Sequence, residues 1–177
     1  MDTVPQPSLD RLVDPTAHPL VVGVVPGQDP LVVRTAAAWA VALGGVELHL
    51  AYADATRYVV EERPDGSLTH APVDPDGLDD VWTQVRDALT QEATAALGGT
   101  DARWRLHYTA GRPDRALTHL ARAVDAAAIV VGSRAGRLRE IVEGSVAVHL
   151  AHHQHRPVLT VPLSVVDWKD PRTPWRG

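Results

Sequence analysis

"IVVGSRAGRLREIVEGSV", residues 129–146, begins as a short apolar run and passes through Gly132 into an arginine-rich loop. It then enters a stretch of helical period that contains Gly144-Ser145. A strand that ends in a glycine loop before a helix is a common cradle for phosphate, because backbone N–H groups and the helix start face the anion. The rest of the chain repeats this strand–loop–helix unit, and that repetition decides the fold.

Upstream, Gly111-Arg112-Pro113-Asp114 opens a helix with Ala116, Leu117, Leu120, Ala121 and Val124 inward. "ARWRLHYTA" (102–110) alternates and reads as a strand, and "AAIVVG" (127–132) reads as the next. Near the start, "PLVVGVV" (19–25) is apolar throughout, as a strand buried on both faces requires. Asp29-Pro30 then caps a helix with Val32, Ala36, Trp39, Ala40 and Leu43 at helical spacing, closed by Gly44-Gly45. "VELHLAY" (46–52) is the second strand. A second helix carries Leu78, Val81, Trp82, Val85, Leu89, Ala93, Ala96 and Leu97 on one face. Trp39 and Trp82 are expected in the core. Downstream, residues 139–153 form a helix and "RPVLTVP" (156–162) a last strand.

Residues 53–77 form a long connection in which Pro64-Asp65-Gly66 signals a turn between two short extended runs, a hairpin or flap. Residues 1–17 read as a flexible arm, 18–162 as the domain, and 163–177 as an extended tail with Trp168 and Trp175. Strands alternating with helices imply a three-layer α/β/α domain on a parallel sheet with right-handed crossovers. Ligands then sit beyond the carboxyl ends of the strands. The loops 26–29, 53–77, 110–113 and 132–138 meet at that rim, and the flap is expected to fold over the crevice and narrow it.

The bulk properties limit function. A chain of 177 residues suits one domain with a sizeable core. A net charge of -5 gives no electrostatic reason for a nucleic-acid partner. The absence of cysteine excludes disulfides, thiol catalysis and thiolate metal sites. No apolar run approaches the ~20 residues of a membrane span, so no membrane partner is expected. The acidic, proline-rich start lacks the features of a signal peptide, which makes a cytoplasmic location the expectation.

Three stretches carry a family resemblance: "PLVVGVVPG" with "AAAWAVALGGVELHLAY", "AGRPDRALTHLARAVDAAAIVVGSR", and "GSVAVHLAHHQHRPVLTVP". From about residue 18 to 162 the chain resembles the universal stress proteins. The resemblance implies a Rossmann-like α/β fold with five parallel strands in the order 3-2-1-4-5. It implies a homodimer paired through the last strand, Pro157–Pro162. It implies a stress-response binding role without catalysis, and one branch of the family binds ATP.

That branch has the pattern Gly, two residues, Gly, nine residues, Gly, then Ser or Thr. Here Gly132 matches the first glycine, Ala135 stands at the second, and Gly144-Ser145 follow one residue early. Gly136 is a shifted substitute. Arg134 and Arg137 add charge that pairs with phosphate, and Ser133 and Ser145 add hydroxyl donors. The acidic residue that ATP binders carry after the first strand is replaced by Val25. Val25, Gly132, Ser133, Arg134, Gly136, Arg137, Gly144 and Ser145 are the candidate nucleotide site, for ATP with Mg2+ or another small ligand. The competing reading is an ATP-binding member with slow ATPase activity. No catalytic constellation is visible, because a phosphoryl-transfer site needs a metal-holding carboxylate in a recognisable place. His149, His152, His153 and His155 close the last helix, where histidines offset its dipole, and no metal site is assigned to them. His49 and His107 are expected to be packed or hydrogen-bonded core histidines.

Overall fold

The computed structural model describes residues 12–74, 81–133 and 146–164. Its elements are β1 (Leu20–Gly23), α1 (Leu31–Ala42), β2 (Leu48–Asp54), β3 (Arg57–Glu62), β4 (Leu68–Pro72) and α2 (Val81–Leu97). They continue with β5 (Trp104–Ala110), α3 (Pro113–Ala123), β6 (Ala128–Ser133), α4 (Val146–His153) and β7 (Val158–Pro162). Five strands form one sheet in the order β5-β2-β1-β6-β7. Every neighbouring pair is parallel. Counted along the chain without the hairpin strands, that order reads 3-2-1-4-5, as expected.

The apolar run at β1 makes it the central strand, with Val21 and Val22 fully buried. On one face Leu20, Val22, Leu48 and Leu50 meet Val32, Ala36 and Ala40 of α1 and Leu89, Ala93 and Leu97 of α2. On the other, Val21, Ala51, Ile129 and Val131 meet Leu117 and Leu120 of α3 and Leu150 of α4. Helix α1 starts one residue later than expected: Pro30, not Asp29, is its N-cap, and Asp29 Oδ1 accepts the Leu31 N–H at 2.9 Å from just before it. Trp39 departs from expectation and is 52% exposed. The buried stripe of α1 is Val32, Val33, Ala36, Ala37 and Ala40. Small residues let the helix lie close to the sheet, and a tryptophan does not fit there. Trp82 is half-buried outside the core cluster, edge-on to His70 and Tyr108 with ring centroids 4.9 and 5.6 Å away.

The expected hairpin is present: β3 and β4 pair antiparallel. Its turn is built as the sequence reads. Arg63 N–H donates to Ser67 O, Gly66 N–H donates to Arg63 O, and Gly66 holds φ +79°, a three-residue loop with the left-handed residue last. Asp65 Oδ1 accepts from Ser67 N and Oγ.

Its direction corrects the expectation. The turn glycine lies against Leu120, Ala123 and Val124, in the last turns of α3. In a parallel α/β unit those turns lie away from the carboxyl ends of the strands. The flap therefore leans on the β5 edge and along α3, and it does not close over the crevice between β1 and β6. It is held there by Arg57, which is 6% exposed, donates Nε–H to His70 Nδ1 at 2.7 Å and lies 5.9 Å from the Trp82 ring. Residues 1–11 of the expected arm (1–17), Leu78, most of the arginine-rich loop and residues 165–177 of the expected tail, with Trp168 and Trp175, lie outside the described residues.

Candidate functional site

The sheet order reverses between β1 and β6, so the crevice opens where these two strands end. Gly132 and Ser133 close β6, paired with Val161 and Pro162 of β7. A side chain on Gly132 would force its neighbours to shift. Its Cβ would lie 2.6 Å from Gln28 Nε2, 2.9 Å from Leu163 Cδ1 and 3.0 Å from Val32 Cγ2. The glycine lets the loop after β1 descend onto the end of β6. Gln28 folds back on that loop, accepting the Val25 N–H at 3.3 Å through Oε1. This leaves its Nε2 amide, with two N–H donors, over Gly132.

Beside this point lies a cavity of about 270 Å3 between the end of β1, the start of α1 and the side of α2. Its floor is Val24, Val33, Leu50, Leu89 and Leu106, and its polar lining is Gln28, Asp29, Arg34 and Glu92. Glu92 fixes the loop by accepting the Gly27 N–H at 3.0 and 3.2 Å. A carboxylate has about four acceptor positions, so it retains capacity for further donors. Arg34 Nε–H donates to Ala96 O at 3.3 Å, which ties α1 to α2 behind the cavity.

The fate of the expected site residues is mixed. Gly132 and Ser133 stand at the switch point. Val25 is 51% exposed in the turn and does not line the cavity; Val24 does. Arg134, Gly136, Arg137, Gly144 and Ser145 lie outside the described residues. Sequence reasoning missed Gln28 and Glu92. One signal for Glu92 was available: it lies three residues after Leu89 and one before Ala93, a charge bordering the apolar stripe of α2. Val25 leaves no carboxylate directly after β1, and the acidic side chains that line the cavity are Asp29 and Glu92.

A family model, the universal stress protein family, matches residues 18–162. The chain belongs to the universal stress protein family. Among solved structures, a universal stress protein in complex with cAMP is 25% identical, over 83% of this chain and 98% of that one, with a TM-score of 0.56. A universal stress protein from Archaeoglobus fulgidus in complex with dAMP is 24% identical, over 81% and 96%, with a TM-score of 0.56. Another structure from Archaeoglobus fulgidus is 23% identical, over 81% and 92%, with a TM-score of 0.58. No curated protein sequence matches the chain. The shared fold is the three-layer α/β/α arrangement on five parallel strands.

Two further histidine groups are resolved within this universal stress protein fold. His49 and His107 are packed as expected, with Nδ1 of one 2.9 Å from Nε2 of the other and rings stacked at 5.0 Å. Burial lowers the pKa of both, and that of His107 falls to about 4, with the neighbouring His49 adding to the effect. His149 and His153 share a face of α4, with ring centroids 5.8 Å apart. Among the described residues no cluster of three or more His, Asp or Glu side chains is arranged to hold a metal. No described helix is long and apolar enough to cross a membrane.

Proposed function

We propose that this universal stress protein is a non-catalytic, stress-response binding module for an adenine nucleotide, held at the rim between β1, α1 and α2. The observation that carries this reading is the rim cavity itself, an apolar slot edged by carboxylates and adjoining the switch point. Val24, Val33, Leu50 and Leu106 offer the flat apolar contact a base requires. Glu92 and Asp29 are acceptors for ribose hydroxyls. The phosphate is directed toward the Gln28 amide and the Gly132–Ser133 strand end. The similar protein solved with cAMP supports the ligand class. At about 270 Å3 the cavity suits a base and sugar better than a complete triphosphate, since drug-sized pockets span about 300–1,000 Å3.

Calorimetric titration of AMP, cAMP and ATP with Mg2+ into nucleotide-stripped protein tests the reading. Saturable binding is expected, and Glu92→Ala weakens it roughly tenfold, the effect of losing one charged hydrogen-bond acceptor worth about 1.5 kcal/mol. Glu92 is exposed on its helix, so the variant keeps its fold. No heat at millimolar nucleotide would overturn the proposal. Phosphate release measured in the same samples separates binding from the slow ATPase alternative.

The homodimer is part of the same proposal. β7 ends the sheet, and among the described residues no strand pairs with its outer edge. An open apolar edge calls for a partner, and the equivalent strand of a second copy provides one. Sedimentation at micromolar protein is expected to give a dimer; a monomer would remove this part of the reading.

A further inference from the structure

On the opposite face of the domain, the hairpin and α3 enclose a second cleft of about 360 Å3. It shares no lining residue with the rim cavity. We propose that this cleft binds a small amphipathic anion, with its apolar body between the hairpin and α3 and its carboxylate or phosphate head on the basic ridge of α3.

The body of the cleft is apolar. Tyr58, Val59 and Leu68 line it from the hairpin, and Ala110, Ala116 and Leu120 from β5 and α3. Tyr58 and Val59 are left exposed by the fold of the chain alone, and a ligand seated here would cover them. The mouth is basic. Arg112 at the N-cap of α3, and Arg115 and His119 on its first two turns, border it. Arg112 already forks onto Asp114, at 3.1 and 3.0 Å. Among the described residues Arg115 has no carboxylate partner, and it is exposed beside the cleft. The same three basic residues also border a polar groove of about 520 Å3 on the α4 side, with His149 and His153 across it. The ridge thus separates an apolar slot from a polar groove in which the one lining carboxylate, Asp114, is paired with Arg112, and a molecule with one apolar and one anionic end satisfies both. The carboxylate lining the slot is Glu62, on the hairpin. It repels a negative head at that end and fixes the orientation toward α3.

The test uses the full chain and three probes with one body and different heads: octanoate, octyl phosphate and octanol, each as monomer, titrated by calorimetry at neutral pH. Saturable one-to-one binding of both anions is expected, at least tenfold tighter than octanol. Arg115→Glu is expected to weaken both anions at least tenfold and to leave the melting curve unchanged, because the side chain is exposed. Arg115→Gln gives a smaller loss. Equal affinity for octanol, unchanged affinity in Arg115→Glu, or no saturable binding of either anion at millimolar concentration would overturn the proposal. AMP titrated into Arg115→Glu reads the rim cavity separately, so failure of the nucleotide reading and failure of this one are distinguishable.

Discussion

Leu48, Leu50, Leu106 and Val22 turn toward α1 and α2, whereas the alternate positions of the same strands, His49, His107 and Thr109, turn toward α3 and the hairpin. The two faces are thus made from one set of strands with opposite chemistry. On the first face, close contact of apolar side chains does the work, and its core cluster is built from buried apolar residues alone. On the second, buried polar groups must each find a partner. Thr109 Oγ1 donates to Tyr52 O at 2.8 Å, and the two histidines satisfy one another. Toward the carboxyl end of β5, on the Leu106 side, Tyr108 donates to Asp54 Oδ2 at 2.6 Å; burial, with this bond, raises the Tyr108 pKa. The comparison predicts a face that is strong and indifferent to pH, and a face whose stability depends on protonation state and on a well-fitted hairpin.

The largest effect tests the apolar face. Leu50 is 1% exposed in its core. Leu50→Ala is expected to lower unfolding free energy by about 2–5 kcal/mol, from lost burial and the cavity left behind. Urea unfolding should return the same loss at pH 7.5 and at pH 5. A loss under about 1 kcal/mol, or one that changes with pH, would break the contrast between the faces.

The same contrast explains what was legible in the sequence. The apolar face was readable because burial imposes a period: "PLVVGVV", the Ala-rich stripe of α1 and the Leu89–Leu97 stripe of α2 all land where spacing places them. Trp39 was misplaced because hydrophobicity and helical spacing do not register size, and α1 lies too close to the sheet for an indole. The hairpin turn was legible in Pro64-Asp65-Gly66, but its lean was not. That depends on a fit between Gly66 and Leu120, which are brought together only by the fold. At the rim, Gly132 was readable as a loop glycine. Glu92 was marked only as a charge bordering the α2 stripe; its pairing with a backbone amide 65 positions away was not legible, because pairing across the fold leaves no local pattern.

A smaller effect tests the polar face. His107 has a folded pKa of about 4 against an ordinary value of 6.5, and burial is its main cause. Glu47, Arg105 and Asp65 are the charged groups acting on the pair. Between those values the unfolded chain binds more protons than the native one. Stability is therefore level above pH 6.5 from this source and falls as pH drops toward 4. The loss should reach roughly 2 kcal/mol. Urea midpoints between pH 7.5 and 4.5 read it directly. His49→Leu/His107→Leu should flatten that part of the profile, leaving the carboxylates to act lower. A wild-type profile level down to pH 4.5 would show that the pair is not held neutral by burial.

The smallest effect concerns the hairpin that covers this face. At Gly66 a methyl group meets two obstacles. The φ of +79° disfavours any L side chain, and the new Cβ would lie 2.6 Å from Leu120 Cδ1. The second obstacle is mild, because the end of a leucine side chain can rotate away. The backbone term dominates, at about 1–2 kcal/mol. Only part of that should appear in global unfolding. Among the described residues the hairpin strands pair with each other alone, so the strain is relieved by lifting the turn while the five-stranded sheet stays closed. Gly66→Ala should therefore lower the global value by about 1 kcal/mol or less. It should accelerate amide exchange in Arg57–Pro72 far more than in β1 or β6. Uniform acceleration across the sheet would mean that the hairpin and the α3 face unfold as one unit. The polar face would then owe its closure to α3 rather than to the flap.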